Sequence, residues 1–214
     1  MSGLRIKGMT VKARIDFART RGGEAVVERL KALPGPAGEL VRTPLLSVRE
    51  FAIGDVEQLA NAIVRELGGD PQLHEEMGAH SADLNRTLLK MVHRTNTDPH
   101  QLLRGVIREF PNHLAGEIGT AEYVPDENGA GGRIIWKGHP ESGLSHCLSS
   151  IGYATRVLHN WGVKGASGAN LRCKHHGHAE CAWGFAWESV SGQLRSTRQI
   201  KSDQLAERIR KASG

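Results

Sequence analysis

The chain has 214 residues, 39% of them hydrophobic and 24% charged, which suits one globular domain, or one domain with an appended segment, and a sizeable buried core. The formal net charge of +5 sits at the ends: Arg5, Lys7, Lys12, Arg14, Arg19 and Arg21 face Asp16 near the start, and Arg195, Arg198, Lys201, Arg208, Arg210 and Lys211 face Asp203 and Glu207 near the end. No apolar run reaches the ~18 residues of a membrane span, no signal-peptide core opens the chain, and three cysteines do not build a disulfide framework, so a cytosolic protein is expected.

The first half reads as helices. Val26, Val27, Leu30 and Leu33 share one face over 23–33, and Pro34 ends the run. Over 55–67, Asp55 is an N-cap and Val56, Leu59, Ala60, Ile63, Val64 and Leu67 recur at helical spacing before Gly68 and Gly69. A third helix is expected over 81–93 through Leu84, Leu88 and Val92. A fourth begins at Asp98-Pro99, an N-cap followed by proline at the first helical position; its stripe is Leu102, Leu103, Val106, Ile107 and Phe110, and Pro111 stops it.

Near residue 119 the pattern changes to β. Residues 121–125 and 133–137 flank a loop of turn formers and predict a hairpin. Helical spacing returns over 147–161, with Gly162 as its C-cap, and a second strand pair is expected at about 167–173 and 181–188. The tail 202–212 reads as a short basic helix. Helices segregated from antiparallel strands predict an α+β fold: a helical half over 1–117, a sheet-containing half over 118–190 and a basic tail over 191–214.

All the cysteines fall in one window. Cys173 and Cys181 flank Lys-His-His-Gly-His-Ala-Glu across a predicted hairpin tip, and Cys147 starts the preceding helix, which can lay its first turn over that tip. Three thiolates brought together suit Zn²⁺, with imidazole or carboxylate completing a tetrahedron. A reactive-cysteine reading also exists, because Cys147 follows His146 at a helix start that would depress a thiol pKa; no third orienting group stands out, and no catalytic residue is assigned. A haem would need an axial histidine, for which His100 and His113, flanking the fourth helix, are the positions, although single histidines are more often surface or hydrogen-bonded core residues.

Cys147-Leu-Ser-Ser-Ile-Gly152-Tyr153-Ala154 followed by Cys173-Lys-His-His-Gly177-His178-Ala-Glu-Cys181 resembles the 4-vinyl-reductase domain family, which includes aromatic-sensing domains and is distantly related to haem nitric-oxide-binding domains. The resemblance covers about 147–188. It implies a structural zinc on Cys147, Cys173 and Cys181. The family's fourth ligand, a glutamate, falls at Asn170, a poor zinc ligand, so His176 is the substitute, with His175 or Asn170 as alternatives. The resemblance also implies a homodimer through the helical half and a pocket between the halves for a small hydrophobic or aromatic ligand. Phe110, Tyr123, Trp136, Tyr153 and Trp161 are candidates for its wall.

The function expected on these grounds is a sensor or adaptor that signals through a partner protein. The alternatives are a tetrapyrrole vinyl-reductase-like enzyme or accessory, and a nucleic-acid-binding regulator acting through the basic ends.

Overall fold

A computed structural model describes residues 3–86, 98–127, 129–139 and 143–188. In chain order these form β1 (Leu4–Lys7), α1 (Gly8–Ala32), α2 (Pro36–Arg42), β2 (Glu50–Ala52), α3 (Ile53–Glu66), α4 (Leu73–Leu84), α5 (Pro99–Arg108), α6 (Phe110–His113), β3 (Leu114–Gly116), β4 (Thr120–Pro125), β5 (Gly131–Lys137), α7 (Leu144–Asn160), β6 (Ser167–Arg172) and β7 (Cys181–Ala186). The fold is α+β, with a helical N-terminal half, as the segregation of patterns predicts. The tail helix expected over 202–212 lies outside the described residues, as do Leu88 and Val92. No helix among the described residues is long and apolar enough to cross a membrane.

Local chemistry accounts for most boundaries. Asp98 caps α5 by accepting from the Gln101 N–H at 2.7 Å, and Leu102, Leu103 and Val106 are buried along its stripe. The helix stops just before Pro111, at Arg108, and Pro111 itself occupies the first turn of the short α6, where a missing N–H costs nothing. In α3, Val56, Leu59, Ala60, Ile63 and Val64 are buried, and the chain leaves through Gly68 and Gly69 at φ 109° and 85°. Of the helix expected over 81–93, residues 81–84 are the last turn of α4 (Leu73–Leu84), where Leu84 is exposed, and 87–93 lie outside the described residues. The helix expected over 23–33 begins at Gly8 and kinks at Gly23, whose φ of 72° and ψ of −179° let the axis turn.

Two sheets result. β1 is the centre of a small antiparallel sheet ordered β2-β1-β3, so segments more than a hundred residues apart meet at the start of the chain. The second sheet, ordered β4-β5-β7-β6, is antiparallel throughout. Its β5 and β7 strands turn Ile134, Trp136, Trp183 and Phe185 inward, and α7 covers them with Ile151, Ala154, Val157 and Leu158. Each such side chain contributes roughly 1.5–3 kcal/mol by leaving water.

The halves join where α4 crosses α7, and there the backbones touch. A methyl on Gly78 would overlap the Ser149 carbonyl, and one on Gly152 would overlap the Glu75 carbonyl. Gly152, the glycine of the Gly-Tyr-Ala motif, is therefore the residue that lets these helices close.

Candidate functional site

The sulfur cluster lies at the edge of the second sheet. Cys147 comes from the first turn of α7, Cys173 follows β6, and Cys181 opens β7 opposite Trp136 of β5. Cys147 Sγ is 3.4 Å from Cys173 Sγ and 3.5 Å from Cys181 Sγ, and all three residues are fully buried. Their ligand atoms lie within 4.8 Å of one another, the one such group found among the described residues. The Lys174 N–H points at Cys181 Sγ from 3.4 Å. Hydrogen bonding from Cys147 pulls the Cys181 thiol well down, and His139 and the Lys174 N–H act in the same direction. The Cys147 thiol moves up, because its proton is shared with Cys181 and its site is dry. That reverses the expectation of a depressed Cys147 at the helix start: proximity to another sulfur outweighs the helix dipole.

His175 and His176 stand in an exposed 3₁₀ turn, Lys174–His176, their rings 5.4 Å apart, and neither belongs to the sulfur group. Asn170 Oδ1 is buried without a hydrogen-bond partner. The residue that does reach the cluster is His139, stacked 3.7 Å from the Trp136 ring, which the sequence reasoning did not single out.

A cavity of about 80 Å³ opens where the halves meet. One side is Ile6 of β1, Thr10 and Arg14 of α1, and Met77, Gly78 and Ser81 of α4. The other is Phe110 and His113 of α6, Leu114, and His146, Ser149, Ser150 and Tyr153 of α7. His113 is held at both nitrogens, with Nδ1 3.4 Å from Thr10 Oγ1 and Nε2 3.4 Å from Tyr153 Oη. Tyr153 donates to Glu109 Oε2 at 3.2 Å; burial and the Glu109 charge push its pKa up. Burial lowers His113 and takes His146 down to about 3, so both rings are neutral. Arg14, 3% exposed, donates from Nη1 to Val56 O at 2.8 Å, and burial outweighs the Glu57 charge to bring its pKa to about 10.

Of the five aromatic residues expected at a pocket, Phe110 and Tyr153 line this cavity. Tyr123, paired with Ile134 on the inward face of the sheet, hydrogen-bonds His100 Nδ1 at 2.7 Å, Trp136 is wholly buried, and Trp161 caps α7. The cavity's polar residues Arg14, Ser149 and His146 were missed. One signal existed: Val11, Arg14, Ile15 and Ala18 follow apolar-face spacing with an arginine inside it.

Similarity to solved structures accounts for most of the chain. An H-NOX protein from S. oneidensis in the Fe(II)NO ligation state aligns with a TM-score of 0.66 at 12% identity, over 86% of this chain and 99% of that one. A T. tengcongensis H-NOX variant gives 0.63 at 9% identity over 87% and 100%. An unliganded Fe(II) H-NOX protein from K. algicida gives 0.54 at 12% identity over 87% and 98%.

The fold is the H-NOX fold. Neither a family model nor a curated protein matches the sequence. The resemblance to the 4-vinyl-reductase family is thereby corrected: a local cysteine and Gly-Tyr-Ala pattern suggested it, whereas nearly the whole backbone follows H-NOX structures. The zinc that came with it, and the picture of a zinc-pinned helix and hairpin, are corrected too. The H-NOX structures are described by Fe(II). A closed structural zinc also needs a fourth protein ligand; His139 approaches Cys181, but the group of ligand atoms within 4.8 Å of one another, among the described residues, holds the three sulfurs and nothing else.

A further structure of this fold, with a TM-score of 0.60 at 9% identity over 85% of this chain and 99% of that one, comes from work on heme redox potential and porphyrin distortion. Haem does not fit the cavity between α1, α4, α6 and α7: pockets for drug-sized ligands run to roughly 300–1,000 Å³, against about 80 Å³ here. The α4–α7 backbone contact at Gly78 and Gly152 closes that cavity along one side. His113 has both nitrogens engaged, and His100 is turned toward Tyr123 and Trp187.

The buried histidines give the H-NOX-fold protein a pH dependence. His74 is 8% exposed, Nδ1 has no partner, and burial, then the Arg14 charge, lowers its pKa from the ordinary 6.5 to about 4. The unfolded chain therefore takes up a proton that the folded chain refuses. Stability is expected to be level above about pH 6.5 and to fall from there toward pH 4. Denaturant titrations at pH 7.5, 6 and 5 check this: His74→Gln should flatten part of the fall, and a slope unchanged by the substitution would contradict it.

Proposed function

We propose that this chain is a small-molecule-sensing module built on the H-NOX fold, which takes its ligand directly in the cavity between α1, α4, α6 and α7 and passes the event to a partner protein. One observation carries the reading: the cavity wall is assembled from the helical half and from α7, which covers the second sheet. A ligand there contacts both halves, and its differential affinity for two packings of α7 is what shifts the balance between them. The volume limits the ligand to a few heavy atoms. A cavity of roughly 150 Å³ is the size that accepts benzene, so the aromatic ligand implied by the sequence resemblance is larger than about 80 Å³ allows.

The tetrapyrrole-reductase alternative and the homodimer rested on the corrected resemblance. A nucleic-acid contact through the C-terminal basic segment concerns residues outside the described ones.

The test combines haem loading with ligand screening. Protein produced with a haem precursor in the medium is expected to show no Soret band, and molecules of two to five heavy atoms should raise its melting temperature saturably. Leu114→Phe, which fills the cavity, should abolish the rise. Stoichiometric haem, or a rise that survives Leu114→Phe, would sink the reading.

A further inference from the structure

Arg14 is the one formally charged residue in the cavity wall. Its guanidinium carries a planar fork of five donors, and the hydrogen bond that the described residues supply to it is Nη1 to Val56 O. Glu57, the carboxylate acting on it, lines a different groove and receives the Gly143 N–H. Ser149 Oγ, in the same cavity wall, is buried with no hydrogen-bond partner. No aspartate or glutamate is among the lining residues; the remainder of the wall is neutral hydroxyls, neutral imidazoles and the apolar Ile6, Met77, Phe110 and Leu114.

This arrangement defines a ligand class. Buried donors without acceptors cost more than paired ones, so an acceptor-only ligand gains most here. A guanidinium fork matches two oxygens on one planar centre. We propose that the cavity is a binding site for a small planar monoanion, a one- to three-carbon carboxylate or the isosteric nitrite or nitrate, with Arg14 as its counter-charge and Ser149 as a hydroxyl donor. The Arg14 charge acts on the cavity wall, where burial and then that charge lower His146, while Glu109, outside the wall, acts at the other end on His113 and Tyr153. The apolar floor excludes a second charged group, which would be buried without a partner. The proposal rests on the reading that the cavity is the ligand site, and goes further by naming what fills it.

The experiment is a titration of the full chain with sodium formate, acetate, nitrite and nitrate at fixed ionic strength, beside the neutral isosteres formamide and acetamide, read by calorimetry and melting temperature. Saturable one-to-one binding of the anions is expected, with the neutral isosteres at least tenfold weaker. Ser149→Ala should weaken the anions about tenfold, the cost of roughly one hydrogen bond to a charged group. Arg14→Met should abolish binding, and Arg14→Lys, which keeps the charge but loses the planar fork, should fall between. If Arg14→Met fails to fold, Ser149→Ala and Arg14→Lys still decide. Amides binding as well as anions would overturn the monoanion assignment and leave the cavity reading standing. Anion binding indifferent to both Ser149→Ala and Arg14→Lys would place the anion elsewhere and also overturn it. Binding of neither class would remove the proposal and the cavity reading together.

Discussion

Replacing Gly78 by alanine is expected to cost about 3 kcal/mol, at the upper end of overpacking penalties. The added methyl meets backbone, which has no rotamer to change: it would overlap the Ser149 carbonyl oxygen and lie 2.7 Å from the Ser149 carbonyl carbon and 2.9 Å from the Tyr153 amide nitrogen. Relief requires α4 and α7 to separate, and their separation opens the seam between the halves and the cavity in it. For a chain of this length such a loss lowers the melting temperature by roughly 6–12 °C. Gly54→Ala is the control. Its methyl would have nothing within 4 Å, and alanine's better helix propensity should leave stability equal or raised by about 0.5–1 kcal/mol. Denaturant midpoints for the two variants check the pair; a Gly78→Ala protein as stable as the parent would mean the helices do not pack at backbone distance.

Trp136→Ala should be as damaging or worse, about 3–5 kcal/mol. The ring is wholly buried, its Nε1 donates to Ile118 O at 2.6 Å, and His139 stacks on it at 3.7 Å. Phe110 and Trp183 close the remaining sides with centroids 5.7 and 5.9 Å away. Trp136→Phe keeps much of the apolar volume and strips the Ile118 carbonyl of its donor, so a loss of about 1–3 kcal/mol is expected. Because Trp136 is not in the cavity wall, ligand binding to the folded Trp136→Phe protein should match the parent within about twofold. A selective loss of binding with intact stability would instead return Trp136 to the ligand site.

Both variants probe features that differ in how far sequence reveals them. The Asp98-Pro99 start of α5 was legible because its cap is satisfied within three residues. The hairpin of β4 and β5 was legible because alternation and turn residues sit side by side. The meeting of Cys147, Cys173 and Cys181 was legible because two of them flank one turn. What surrounds the sulfurs was not: the histidines nearest in sequence face away, and His139 arrives from the end of β5. Helix α1 was half missed. Its first turns alternate charged and apolar residues, and Gly22 and Gly23 interrupt the count, although the backbone absorbs Gly23 as a kink.

The sequence by itself determined the α+β class, most helix and strand positions and the convergence of the sulfurs, since each depends on spacings within a short stretch. Only the tertiary structure decided the fold likeness and the presence and small volume of the cavity. These depend on how closely α4 lies against α7, a distance set by two glycines, Gly78 and Gly152, that are remote in the chain. They depend equally on Arg14, a charge on an otherwise apolar helix face whose cavity and hydrogen-bond neighbours come from six other elements. Periodicity reports which side of an element is buried; it carries no information about which remote backbone that side will touch.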